Sequence, residues 1–540
     1  MTKRLFSKEL LSRQLTLLMA GAALSLTAAC ASLSESEPTH ETEDAALTAR
    51  VFEQLREHPV DLRMFLQAMP KGGDLHNHLS GAVYAESYVD WALKDGLCII
   101  VERAQLAEPP CSAEQPRLQT ALAEGEITRD QLINAWSLRN FVAAPAGSDS
   151  PLAEVSGHDQ FFATFFRFDA ATDTRKADML AEVATRNARQ NIGYMELMQS
   201  FRAGEARTLA QDLDLKDASR ESKRRLREAG IQQLAEKSIA DLDAMEREAG
   251  ASLGCQLGDE GDCPVTLRYV AQVLRTVPPA EVLAQSMVAF EMARQDPRVV
   301  AVNLVAPEDN DLVLKTYDQQ MRIIGRLAED YPDVGVTLHA GELTLGLVPP
   351  KDLSDHIRQA IKTARATRIG HGIDIAYENN PERLLRQMAN EEITVEVNLT
   401  SNDEILGVEG RDHPFQTYRR YGVPVVLSTD DEGVSRNDLT HEYLRAVETY
   451  DLDYSDLKQF ARQALESAFL PGESLWQDFE TQARVSACTS MSESCRAFLD
   501  ANERANRQWE LEQSFQKFEA ERAELLREGI MPPLSAYEED

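Results

Sequence analysis

Short apolar runs recur along the chain, and stretches with apolar residues at helical spacing separate most of them. The runs predict strands near residues 74, 194, 267, 300, 336, 368, 394 and 424. Helical spacing predicts helices over 46–69, 157–168, 175–190, 279–294, 311–330, 353–365, 381–389 and 415–421, the first ended by Pro70. Strands alternating with helices point to a parallel sheet. Eight such units predict an α/β fold, a closed (β/α)8 TIM barrel within residues 46–475, with functional groups at the C-terminal strand ends. Residues 95–155 lack sustained periodicity, and residues 203–262 are highly charged with helical patches such as 217–249; both are expected as insertions. A helix at 454–469 follows the last strand. Residues 476–540 are expected as a helical C-terminal extension, with helices over 476–485 and 496–528. The aromatic stripe Phe161, Phe162, Phe165, Phe166 and Phe168 reads as helix core, with the wall of an apolar pocket as the alternative.

Polar residues that interrupt this pattern fall at the predicted strand ends. The run 423–427 stops at Ser428-Thr429-Asp430-Asp431-Glu432, so a strand delivers two adjacent carboxylates to its tip. Neighbouring side chains on a strand face opposite ways, which gives Asp430 and Asp431 different jobs unless the backbone turns between them. His76 and His78, two apart, face the same way on the first strand. His339 and Glu342 end the fifth strand and His371 the sixth. Three neutral imidazoles and one carboxylate suit a divalent ion of the zinc type, with a position left for water. His76, His78, His339 and Asp430 are assigned as ligands of one Zn2+ per chain. Zinc lowers the pKa of bound water toward ~7. His371 is then the candidate base or orienting group for that water, and Glu342 the proton donor to a leaving group or ring nitrogen. Asp431 is expected to hold the water or the substrate.

The formal net charge is −33, from 89 acidic and 56 basic residues. This argues against nucleic acid or an anionic membrane face as the main partner. Lys3, Arg4, Lys8 and Arg13 precede an apolar run over 15–26 and then Thr27-Ala28-Ala29-Cys30. The run is too short for a transmembrane helix and has signal-peptide flanks. Residues 1–30 therefore read as a lipoprotein signal peptide with Cys30 acylated; ordinary cleavage after Ala31 is the alternative. Residues 31–45 read as a flexible tether, and Ala31 carries no acidic retention signal. The expectation is export to the periplasm, with membrane contact only through Cys30 at the outer membrane; no oligomeric state follows. Export makes disulfides feasible. The remaining six cysteines fall in close pairs, Cys98 with Cys111, Cys255 with Cys263 and Cys488 with Cys495. This is the simplest of about fifteen pairings, against a reading as free thiols.

Leu75-His76-Asn77-His78-Leu79-Ser80-Gly81, His339-Ala340-Gly341-Glu342, Arg368-Ile369-Gly370-His371-Gly372 and Ser428-Thr429-Asp430-Asp431 resemble, in this order, motifs of the adenosine deaminase family. The likeness spans residues 68–475 with gaps, and the export signal and insertions are similar to the secreted, growth-factor-like branch. The resemblance implies a zinc (β/α)8 barrel that hydrolyses the 6-amino group of adenosine or 2′-deoxyadenosine, releasing ammonia. It implies that Glu342 protonates the ring nitrogen beside the attacked carbon and that His371 orients or deprotonates the water. It also places Asp431, Ala306 and Gly341 against the purine nucleoside. The chain departs from the family at several points. Ala306 replaces a glycine whose N–H meets the purine, and Ser80 replaces an acidic ribose contact found in some members. Glu432-Gly433 replaces an Asp-Pro type of turn, for which the sequence offers no physical account. The alternatives are a related metal hydrolase acting on another aminopurine or modified nucleoside, and a non-catalytic nucleoside-binding lipoprotein.

Overall fold

Eight parallel strands form one sheet in chain order: β1 (Gly73–His78), β2 (Tyr194–Gln199), β3 (Thr266–Leu274), β4 (Val299–Val305), β5 (Gly335–Ala340), β6 (Arg368–His371), β7 (Thr394–Val397) and β8 (Val425–Leu427). The structure, a computed structural model, describes residues 40–141, 155–215, 218–257 and 263–537. The expected signal peptide and Cys30 lie outside the described residues. All eight strands fall where the sequence places them. Strands buried on both faces read as near-continuous apolar sequence, as Val299–Val305 does, whereas β1 is just as buried but mostly polar. The ends of the sheet meet through a parallel bridge between Asn77 and Asp430. There Asp430 N–H donates to the His76 carbonyl (2.8 Å) and His78 N–H to the Asp430 carbonyl (2.9 Å). A (β/α)8 barrel closes in this way, with helices packed around it.

Several local expectations change. The predicted helix 46–69 is two helices, His40–Leu55 and Pro59–Ala68, because Pro59 begins a new first turn and cannot continue the old one. The patch 217–249 splits into Arg220–Ala229 and Ile231–Leu253 at Gly230, whose φ of 109° no helix adopts. The insertion 95–155 holds more order than its sequence suggested: a hairpin, Cys98–Ile100 with Gln105–Ala107, and two helices, Leu118–Glu124 and Arg129–Ala135. Residues 476–485 are not helical. Trp476–Asp478 pairs antiparallel with Ala483–Arg484. The Trp476 ring is buried in a cluster with Trp509 and Cys488, and Arg484 lies 4.7 Å over the Trp509 ring. Tertiary packing overrides local helix preference here. The rest of the extension is helical, Glu493–Ala501 and Glu503–Arg527. The longer helix ties back through Arg462–Glu512 (2.6 Å) and Lys458–Glu519 (2.6 Å). Disulfides join Cys98 to Cys111, Cys255 to Cys263 and Cys488 to Cys495, the pairing expected from spacing.

Inside the barrel, Arg368 is buried between two carboxylates. Its guanidinium reaches Glu196 Oε2 and Glu396 Oε1, each at 2.6 Å, and lies 4.1 Å over the Phe469 ring. Burial alone would raise the Glu396 carboxyl, but Arg368 and His76 outweigh it and hold it at about 2. Removing one partner of a buried ion pair leaves an uncompensated charge, at a cost of about 3–5 kcal/mol. Arg368→Met should therefore destabilise the protein by about that amount, read as a fall in the urea midpoint. Arg365→Met, which breaks an exposed pair with Glu329 (2.7 Å), should move the midpoint by less than about 1 kcal/mol.

Candidate active site

Three histidines point their Nε2 atoms at one spot. The Nε2 atoms of His76 and His78 lie 3.1 and 3.2 Å from that of His339. Asp430 Oδ1 lies 3.4 Å from His76 Nε2 and 3.3 Å from His78 Nε2. The other ring nitrogens show which atoms carry hydrogen. His76 Nδ1 meets Glu396 Oε2 (2.6 Å), His78 Nδ1 meets Gln272 Oε1 (3.0 Å) and His339 Nδ1 meets Asn303 Oδ1 (3.0 Å). Asn303 Oδ1 also accepts the His339 backbone N–H (3.1 Å), so it is the amide oxygen that faces the ring. Each partner is an acceptor, so each Nδ1 is protonated and each Nε2 presents a lone pair inward. Three lone pairs and a carboxylate converging in a buried space attract a cation. Tetrahedral donors about 2.0–2.1 Å from a zinc-type ion stand ~3.3–3.4 Å apart, close to the spacings found. The four residues expected as ligands thus fit a divalent metal. Burial alone would lower the His76 imidazolium, but hydrogen bonds to Asp430 and Glu396 outweigh it and hold it up to about 10. A proton and a metal therefore compete for this cluster, and metal uptake releases the proton.

Beside this cluster stand the other expected groups. His371 Nε2 is 3.6 Å from Glu342 Oε1 and 4.0 Å from Asp430 Oδ2. Ser401 Oγ donates to that same Asp430 oxygen (2.6 Å). Burial, and then the Asp430 carboxylate, push the Glu342 carboxyl up to about 8. Burial and Asp430 likewise push Asp431 well above the usual carboxylate range. Asp430 has a φ of 61°, and this left-handed residue turns the backbone so that Asp430 and Asp431 both border the cavity. Asp431 then precedes the short helix Glu432–Ser435 without a side-chain hydrogen bond to it. The Glu432-Gly433 pair now has a physical account. Glu432 is buried and accepts from Asn77 Nδ2 (2.8 Å) and from Arg186, tying β8 to β1 and to the helix Lys176–Ala188. A Cβ on Gly433 would stand 2.0 Å from the Val83 carbonyl oxygen, and one on Gly81 1.5 Å from Asp431 Oδ1, so both positions require glycine.

The site opens into a cavity of about 570 Å3. Phe161, Phe162, Phe165, Phe166 and Phe168 form one wall, so the aromatic stripe serves the pocket as well as the core. Ala306 lines the cavity and adopts a φ of 84°, holding the left-handed backbone that a glycine would supply. Ser80 also lines it. Gly341 does not border the cavity among the described residues. Its N–H donates to Glu308 Oε1 (3.2 Å) and its carbonyl accepts from Ile373 N (2.8 Å), in a turn that holds Glu342. The residues missed from sequence are those behind the ligands: Glu396, Gln272, Asn303 and Ser401. Asn303 carries a visible signal, a single polar side chain within the otherwise apolar Val299–Val305, whereas β3 and β7 hold other polar side chains beside Gln272 and Glu396.

A family model described as adenosine deaminase matches residues 157–476, more than half of the chain. The chain belongs to the adenosine deaminase family. The match begins beyond β1; the barrel's closure is what joins His76 and His78 to the family's part of the site. An adenosine deaminase of Clostridium perfringens (strain ATCC 13124) is 30% identical over 176 residues, 32% of this chain and 48% of that protein. One of Shewanella denitrificans is 34% identical over 176 residues, 31% of this chain and 49% of that protein. The chain thus spans about half the length of the curated relatives it matches. Among solved structures, an adenine deaminase of Arthrobacter aurescens aligns at 15% identity and TM-score 0.49, covering 82% of this chain and 99% of that one. An amidohydrolase of Burkholderia ambifaria, solved with bound Zn, aligns at 18% identity and TM-score 0.46, covering 85% of this chain and 95% of that one.

Groups that orient metal-bound histidines are worth about 10–100-fold in metal affinity. Gln272→Leu, which leaves His78 Nδ1 without its acceptor, should weaken metal binding by about that factor in chelator competition. Affinity should fall in wild type as pH falls, because the His76 proton is harder to displace.

Proposed function

We propose that this protein is a zinc-dependent deaminase that hydrolyses the 6-amino group of adenosine or 2′-deoxyadenosine to inosine or deoxyinosine and ammonia. The observation that carries the reading is the meeting of two sets of groups in one cavity. A four-donor metal cluster, His76, His78, His339 and Asp430, stands beside a carboxyl held protonated, Glu342. One zinc ion per chain, held by those four residues, would lower the pKa of water and supply a nucleophile near neutral pH. Glu342 gives its proton to the ring nitrogen next to the attacked carbon, which makes that carbon electrophilic. His371 Nε2 faces the same space from β6 and contacts the attacking oxygen. Asp431, bordering the cavity, holds the substrate or the water. The Ala306 N–H meets the purine edge, and the phenylalanine wall packs its face.

Ser80, where some family members carry an acidic ribose contact, supports a second reading: an aminopurine or modified nucleoside with a different sugar end. The amino-terminal segment supports action outside the cytoplasm, with acylation of Cys30 tethering the enzyme to the outer membrane, and the three disulfides suit an oxidising compartment.

An ammonia-release screen of the zinc-loaded protein against adenosine, deoxyadenosine, adenine, AMP and guanosine tests both readings. Release from adenosine or deoxyadenosine is the expected result, and none from any aminopurine would overturn the function. Glu342→Gln should keep its metal and lose about 10²–10⁴-fold in kcat. Glu342 acts in its protonated form, so kcat/KM should fall as pH rises through its pKa. A cation on Asp430 removes part of the repulsion that raises this pKa, which places the alkaline limb at or below about 8. A rate still climbing above that pH would contradict the assignment.

A further inference from the structure

Behind His371 a chain of hydrogen bonds leads from the site to a backbone amide. The Phe415 N–H donates to His413 Nδ1 (3.1 Å). His413 Nε2 stands 3.1 Å from Asn402 Oδ1, and Asn402 Nδ2 stands 2.8 Å from His371 Nδ1. At the far end, His371 Nε2 is buried in the site without a hydrogen-bond partner among the described residues.

Only one arrangement of hydrogens satisfies every link. A backbone N–H can only donate, so His413 Nδ1 accepts. Burial, and then His371 and Arg445, push His413 down to about 3, which leaves it neutral with its one hydrogen on Nε2. That hydrogen goes to Asn402 Oδ1, which turns the Asn402 amino group toward His371. An amino group also only donates, so His371 Nδ1 accepts and its hydrogen is on Nε2. Reversing any link would set two hydrogens against each other in a buried space, at Asn402 or at Phe415.

We propose that this relay holds His371 as the Nε2–H tautomer, so that His371 donates a hydrogen bond to the reacting oxygen instead of serving as the base that takes the water's proton. His413 and Asn402 are then positioning residues, acting through His371. The inference rests on the reading of the site as a deaminase centre, yet the tautomer itself can be read without turnover.

The test uses the metal-loaded full chain labelled with ¹⁵N-histidine. Two-bond proton–nitrogen correlation spectra separate the two tautomers, and the His371 signals are those lost in His371→Gln. The expected wild-type result is Nε2–H at both His371 and His413; Nδ1–H at His371 would overturn the proposal. Asn402→Asp replaces the donor by an acceptor of the same shape, so it should turn His371 to Nδ1–H. Because one donor to a developing oxyanion is worth about 10²–10³ in kcat, that variant should lose about 100-fold or more with KM nearly unchanged. A reversed tautomer with full kcat would also overturn the proposal. His413→Leu should lose activity in the same way. His413→Gln, which can accept from Phe415 and donate to Asn402, should recover most of it. The spectra report on the relay even if no aminopurine is turned over, so a wrong substrate and a wrong relay give different results.

Discussion

Everything in the upper half of this barrel follows from three inward lone pairs meeting one carboxylate. An imidazole ring is symmetric enough to turn either nitrogen inward, and only its second hydrogen bond decides which one does. Glu396, Gln272 and Asn303 make that decision for His76, His78 and His339. Each of these is buried or nearly so, and therefore needs partners of its own. Glu396 finds Arg368 and the Thr337 hydroxyl (2.7 Å), and Arg368 finds Glu196. A polar column thus runs from the metal cluster down the barrel axis. Replacing such charges by apolar side chains would often stabilise a fold. Their presence here is explained by the orientation they impose on the histidines.

The same site closes the barrel. Asp430 offers its side chain to the metal cluster while its N–H and C=O form the hydrogen bonds that join β8 to β1. Its left-handed backbone, like that of His371 (φ 69°) and Ala306 (φ 84°), is costly for any residue but glycine. All three lie at strand ends around one site. The strain is tolerated because each is held by hydrogen bonds: Asp430 by β1 and Ser401, His371 by Asn402, Ala306 by Arg275 Nε on its carbonyl (2.7 Å). Gly81 and Gly433 supply the space that lets Asp431 and the helix after it come close.

Legibility in the sequence tracked the range of the deciding interaction. Most of the strands were legible because double burial imprints a local apolar run, as in Val299–Val305, whereas the polar β1 was legible from His76 and His78 at strand spacing. The meeting of His76, His78, His339 and Asp430 was legible because these polar residues fall at strand ends. The hairpin around Trp476 was not, because Trp509, more than thirty positions away, decides it. Pro59 marked a helix break that periodicity alone passes over. The hydrogen bond from the Gly341 N–H was hidden for a similar reason: its acceptor, Glu308, belongs to another strand end. Asn303 did leave a trace, the one polar residue in an apolar strand. That trace predicts a buried hydrogen bond, but not which histidine receives it.

This contrast also separates the chemistry of the site from its choice of substrate. The chemistry is set by a few donor and acceptor atoms on adjacent strand ends, and bond lengths allow them little freedom. Selectivity is set by the shape of the cavity, and its walls come from segments between the strands. The helix Gly157–Phe168, which brings the phenylalanines, follows directly on an insertion between β1 and β2. Whether a phenylalanine fills a core or lines a pocket depends on what stands opposite it. Phe161 and Phe168 have neighbours and are buried, whereas Phe166, on the same helix, is 74% exposed at the cavity mouth. An apolar wall of this kind rewards a flat ring but distinguishes poorly between rings of similar size. Discrimination therefore falls to the polar groups that face the cavity, Ser80, Gln199, Gln272 and Asn310 among them, whose donors and acceptors a bound ring must match or leave unpaired.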